Sequence, residues 1–270
     1  MTEYTGYLDG YLKKNLDQAK RVIKKDWDMV FCVDGYEGSG KSVLAQQIAK
    51  YCDPTLDISR IAFTPKEFID AINKAGKYQA VIYDEAYGGM SSRAAMSEVN
   101  RSLMSVLAEI RQKNLFVLVV MPCFFEMDKY AAVWRSRALI HVYTGDDFKR
   151  GFFSFYSQDR KKSLYVLGKK FYSYRQPPCN FHGRFTKGYV VDEDAYRLKK
   201  NDTLKARSEP EEQETSGYRN ALDQRNDAWK LLKDETKLNS TVLGSKLGVS
   251  SSTFRGGINE VYNRGKSLRN

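Results

Sequence analysis

Apolar residues recur along the chain in two alternating textures. At the amino end, Leu8, Leu12, Leu16, Ala19 and Ile23 fall at helical spacing within residues 7–25, with lysines and arginines over the rest of that surface. Short unbroken apolar runs then alternate with helical patterns. The runs are 29–34 (MVFCVD), 60–63 (RIAF), 79–84 (QAVIYD), 115–121 (LFVLVVM) and 138–143 (ALIHVY). Between them, 43–52 reads as a helix, and a second helix starts at Thr64-Pro65-Lys66-Glu67 and ends near Gly76. The threonine there is the cap, the proline takes the first turn, and Glu67 closes a capping box. A third pattern, over 94–112, carries Met96, Val99, Leu103, Leu107 and Ile110, and a short helix is expected over 127–134. Strands alternating with helices imply right-handed crossovers and an α/β domain with a parallel sheet covered on both faces.

After Gly145 the texture changes. GFFSFYS, SLYVLGKKFYSY, FHGRF and KGYVVDED are short, aromatic and β-prone, and predict added strands and hairpins. Residues 199–217 are polar and poor in large apolar groups, which predicts a linker. Helical spacing resumes over 218–234, with Leu222, Trp229 and Leu232 on one stripe. It continues through Val242, Leu243 and Leu247 to Phe254, Ile258 and Val261. The expected organisation is therefore an α/β domain over 1–198, a polar linker over 199–217 and a small all-α domain over 218–270.

Composition narrows the chemistry. Among 270 residues, 44 lysines and arginines outnumber 33 acids, a net charge of +11, which favours a polyanionic partner, nucleic acid before anionic membrane. The amino end lacks the apolar stretch of a secretory signal, and the longest apolar run, 115–125, is too short to span a bilayer. Four scattered cysteines make no disulfide framework, so a cytoplasmic setting without membrane insertion is expected. Cys179-x-x-His182 is half of a metal-binding pattern at most.

Gly35-x-x-x-x-Gly40-Lys41-Ser42 lies between an expected strand and an expected helix, the context a phosphate-binding loop requires. The loop Gly35, Tyr36, Glu37, Gly38, Ser39, Gly40, Lys41, Ser42 and Val43 would direct successive N–H groups at phosphates, aided by the helix amino end. Lys41 would reach the β- and γ-phosphates of ATP, and Ser42 would face Mg²⁺. AVIYDEA ends a strand in Asp84 and Glu85. The aspartate suits the Mg²⁺ shell, and the glutamate suits the polarising of an attacking water. A small-molecule kinase has no need of that base, so the pair points to hydrolysis.

Residues 28–144 resemble the P-loop ATPases that carry an additional sheet strand and a catalytic glutamate. Within them they are most similar to the FtsK/HerA-like DNA pumps, a group that includes viral packaging ATPases and zonula occludens toxin-like phage proteins. The resemblance covers a little under half of the chain. It implies a RecA-like sheet in the order 5-1-4-3-2, ATP hydrolysis with Mg²⁺, and assembly into a pentameric or hexameric ring. A polar residue at the tip of strand four would sense the γ-phosphate. Here the tip reads Met121-Pro122-Cys123, which leaves Cys123 or another residue in that role. The resemblance also implies an arginine given to a neighbouring subunit's site, and Arg135 and Arg137 match its place, ahead of Arg93, Arg101 and Arg111.

LGSKLGVSSSTFRGGINEV, 243–261, resembles a helix-turn-helix, which would offer Ser251, Ser252, Thr253, Arg255 and Asn259 to double-stranded DNA. Gly256-Gly257 is a poor helix interior. Three readings follow. The first is a motor that translocates or packages duplex DNA, with a capsid or replication protein as a further partner and the host cytoplasm as its setting if viral. The second is a nucleotide-switched partition, transposition or replication helper. The third is an assembly ATPase acting on protein.

Overall fold

The computed structural model describes residues 6–84, 107, 110–208 and 212–267. The chain divides into two compact units, Met1–Ala206 and Arg207–Asn270.

The first unit is built on strands β1 (Met29–Gly35), β2 (Ile61–Ala62), β3 (Ala80–Tyr83), β4 (Phe116–Val120), β5 (Ala138–Tyr143), β6 (Phe152–Tyr156) and β7 (Phe181–Arg184). They form one sheet in the order β2-β3-β4-β1-β5-β6-β7. The first five run parallel, and β6 and β7 extend the sheet antiparallel. The order 5-1-4-3-2 expected for the first five is the order found.

Both faces are covered. Met29, Phe31 and Val33 of β1 pack on one side with α1 (Gly10–Val22) and α2 (Lys41–Cys52), through Leu12, Leu16, Leu44 and Ile48. Val30 and Cys32 point to the other side, among Phe68, Ile72, Phe124 and Phe125. The alternation follows from the two-residue period of a strand. Cys32 sits at the middle of β1, paired with Val119 and Leu139, and Cys52 ends α2; both are buried.

Helix α3 (Pro65–Lys74) starts as its sequence predicts. Thr64 accepts a hydrogen bond from the Glu67 N–H at 3.1 Å, and Glu67 accepts one from the Phe63 N–H at 2.8 Å. Of the pattern over 94–112, most lies outside the described residues; Leu107 and Ile110 are buried. The helix expected over 127–134 is a π-helical turn, Ala131–Arg135.

Three expectations after Gly145 are corrected. GFFSFYS and FHGRF supply β6 and β7, but SLYVLGKKFYSY contributes to helix α4 (Gln158–Gly168). Lys161, Leu164, Tyr165 and Gly168 are its buried positions, and that spacing is helical despite the β-prone residue types. KGYVVDED makes no strand. The Thr186 and Gly188 carbonyls instead accept from the Gln47 side chain, at 2.8 and 3.1 Å. Residues 199–217 are largely helical, because α5 (Glu193–Ser208) enters them and α6 (Glu212–Thr236) begins within them. Their Lys, Arg, Glu, Gln and Ala content is low in bulk but high in helix propensity, and propensity prevailed.

The second unit contains α6, α7 (Ser240–Lys246) and α8 (Ser251–Ser267). Trp229, Leu243, Phe254 and Ile258 form its core. Val242 and Leu247, expected to face inward, are exposed, as is Leu232 of the expected stripe, and Asn226 is buried in the stripe instead.

Candidate functional site

The loop joining β1 to α2 takes backbone angles that its glycines make available. Gly35 has φ +140°, and a Cβ there would lie 2.0 Å from the Val142 carbonyl oxygen of β5. Gly40 has φ +103° and precedes the first turn of α2, with the Phe185 ring 3.3 Å from where a Cβ would be. These positions therefore exclude other residues. The Lys41 ammonium folds back over the loop, donating to the Gly35 and Tyr36 carbonyls at 2.7 and 2.8 Å. Burial pushes its pKa down from the ordinary lysine value, while Asp34 and Asp84 pull the other way. Ser39 is fully buried, and its hydroxyl has no partner among the described residues. A fully buried hydroxyl without a partner, set in the loop between β1 and α2, suits an anion.

Strand β3 delivers Asp84 to the same place. The Ser42 hydroxyl donates to Asp84 Oδ1 at 3.0 Å, and the Tyr196 hydroxyl of α5 donates to Oδ2 at 2.6 Å. Serine and carboxylate oxygens are the hard donors that Mg²⁺ takes, and Mg²⁺ needs only one or two of them beside phosphate and water. The pair fits that ion. Among the described residues no group of three or more His, Cys, Asp or Glu side chains could hold a metal, and Cys179 Sγ lies 3.3 Å from His182 Nε2 with no such third group. Tyr196 is buried, and burial together with Asp84 drives its pKa far up, so its hydroxyl remains a donor. Glu85 lies outside the described residues, as do Arg93 and Arg101.

Two comparisons return nothing: no protein-family model matches this sequence, and no curated protein matches it. Among solved structures, the genome packaging NTPase B204 from Sulfolobus turreted icosahedral virus 2, in complex with AMP, is similar to this chain. The match covers 50% of this chain and 95% of the other, at 16% identity and a TM-score of 0.28. A likeness of that size carries no inference about activity; the sheet order and the loop geometry stand without it.

Asp34, missed in the sequence, is a hub beside the loop. Its carboxylate accepts from the Phe124 N–H at 2.9 Å and from the Tyr174 hydroxyl, and His141 Nδ1 lies 2.9 Å from it. His141 stacks on Tyr174 with ring centroids 3.7 Å apart. These bonds tie the exit of β4 to the entry of the phosphate loop. Cys123, at that exit, is half-buried, and burial raises its thiol pKa. A histidine inside the apolar run ALIHVY was the available signal. Arg150 was also missed; its guanidinium lies 3.6 Å from where a Cβ on Gly38 would be.

The two arginines ahead of β5 sit at the opposite end of the sheet from the loop. Arg135 pairs with buried Asp28 at 2.6 Å and donates to the Leu107 carbonyl at 2.5 Å. That ion pair engages Arg135 within its own chain. The Arg137 guanidinium lies 4.8 Å from the Trp27 ring centroid, and its backbone N–H donates to Val30.

In the second unit, Ser252, Thr253, Arg255 and Asn259 are exposed on the first turns of α8, and Ser251 is half-buried. The turn before α8 uses Gly248 at φ +70°.

Proposed function

We propose that this chain is an ATPase whose turnover drives double-stranded DNA, by translocation or packaging, in a ring of identical subunits. The observation that carries this reading is the 3.0 Å contact between Ser42 and Asp84. It brings the phosphate loop at the end of β1 and the acidic tip of β3 together across β4, at the parallel strands' carboxyl ends. The loop amides and Lys41 hold the phosphates, and Ser42 and Asp84 hold Mg²⁺, which supplies charge neutralisation to the β- and γ-phosphates when bound. Glu85, one residue past Asp84, orients the attacking water and takes its proton. Duplex DNA as the substrate is supported by the net charge of +11 and by the exposed Ser252, Thr253, Arg255 and Asn259 at the amino end of α8. Among the described residues no helix is long and apolar enough to cross a membrane.

The test is nucleotide binding and turnover, with and without duplex DNA, together with triplex displacement. Lys41→Ala should abolish tight ATP binding. Glu85→Gln should keep binding yet turn over orders of magnitude more slowly, since an amide cannot activate water. Displacement of a triplex strand supports the motor. Stimulation by DNA without displacement identifies a nucleotide-switched partition, transposition or replication helper. Turnover indifferent to DNA identifies an assembly ATPase acting on a protein such as a capsid component.

A further inference from the structure

A cleft of about 240 Å³ opens beside Ser42, and its other walls are Tyr189, Tyr196, Arg197, Lys200 and Asn201. Four of these lie on α5, so one helix faces the metal-side residue of the phosphate loop. Two anchors fix that helix. The buried Tyr196 hydroxyl donates to Asp84, and the Lys199 ammonium donates to the Ile61 carbonyl of β2 at 2.6 Å. Lys200 is half-buried and stands one turn beyond Tyr196 on the same helix face. Arg197 is held by Glu193 at 2.6 Å and leans over Tyr189, so it is committed to the rim.

We propose that α5 is the second wall of the polyphosphate site and that Lys200 binds the terminal phosphate from within the same chain. Lys41 grips the phosphates from the loop side, and Lys200 meets the γ-phosphate from the side of Ser42 and Asp84. ADP, lacking that phosphate, lacks this contact. The proposal rests on the nucleotide reading above, and it assigns ATP-over-ADP discrimination to a helix outside the sheet's parallel core.

The experiment is equilibrium titration of the full chain with MgATP and with MgADP, for the parent, Lys200→Ala, Lys200→Arg and Lys41→Ala. Loss of a charge-assisted contact to phosphate should weaken MgATP binding roughly tenfold in Lys200→Ala. MgADP affinity should stay within about threefold of the parent, and Lys200→Arg should restore the parent ratio, because arginine keeps the charge. Equal losses for both nucleotides in Lys200→Ala, or no loss for either, overturn the role of Lys200 while Lys41→Ala still abolishes binding. Parent-like binding by Lys41→Ala overturns the phosphate-loop reading, and the Lys200 proposal with it.

Discussion

Lys161 is a charged side chain with no exposed surface, held by two backbone carbonyls of the π-helical turn, those of Ala132 and Val133. Burial pulls its pKa from 10.5 down to about 8. Because the folded pKa lies below the unfolded one, the unfolded chain binds more protons between those values, and stability rises with pH across that window. Urea unfolding at pH 7 and pH 10 should show the parent gaining on the order of 1–3 kcal/mol relative to Lys161→Met. A parent whose pH dependence matches the variant's would place the ammonium in a wetter setting. At this scale the phosphate loop was legible in the sequence because its chemistry is local: glycines, lysine and serine lie within eight consecutive positions. Tyr196 and Tyr174 were not legible. They reach Asp84 and Asp34 from 112 and 140 residues away, and a tyrosine in a mixed polar stretch does not announce which carboxylate it will meet.

At the scale of elements, Gly256 and Gly257 look alike in the sequence and differ in the fold. Nothing lies within 4 Å of a Cβ on Gly256. A Cβ on Gly257 would come 2.5 Å from Asn226 Oδ1 and 3.0 Å from the Trp229 ring, so α8 packs directly on α6 there. Asn226 cannot yield easily, since it is buried and donates to Glu260 at 2.8 Å. Gly256→Ala should therefore stabilise by about 0.5–1 kcal/mol through helix propensity. Gly257→Ala should destabilise by about 1–3 kcal/mol through overpacking, both read from urea unfolding followed by tryptophan fluorescence. The expected strands of the parallel sheet were legible as apolar runs bounded by turn residues. The region after Gly145 was harder, because Tyr, Val and Leu serve a buried helix face as well as a strand. The stretch 199–217 misled for the opposite reason: few apolar groups can still make a helix when the remaining residues favour one.

Across the whole molecule, the glycine loop, Lys41, Ser42 and Asp84 lie in Met1–Ala206, and the exposed Ser252, Thr253, Arg255 and Asn259 lie in Arg207–Asn270. Deleting 218–270 should leave basal ATPase activity and weaken DNA binding, whose affinity in the parent should fall steeply with salt as counterions are released. Arg255→Ala should cost roughly 1 kcal/mol or somewhat more of DNA affinity. A truncated chain with unchanged affinity and salt slope would make the segment a docking module for a protein. A ring with shared sites makes a further demand on Arg135 or Arg137, tested first at Arg137 because Arg135 is paired with Asp28. Arg137→Ala mixed with Lys41→Ala should recover part of the ATPase activity that each lacks, since a missing finger costs roughly 10³-fold or more in rate. No recovery in mixed assemblies would remove Arg137 as the shared residue.

The burial of Cys32 and Cys52 has a practical consequence. Desolvation raises their thiol pKa values to about 11 and about 12, so at neutral pH neither is a thiolate. Cys32 lies in the central strand of the sheet and Cys52 ends the helix that carries the phosphate loop, so an alkylating reagent reaches them only when those elements part. Their slow modification is therefore a clock for the opening of the sheet and of α2, against which half-buried Cys123 and Cys179 set the fast reference.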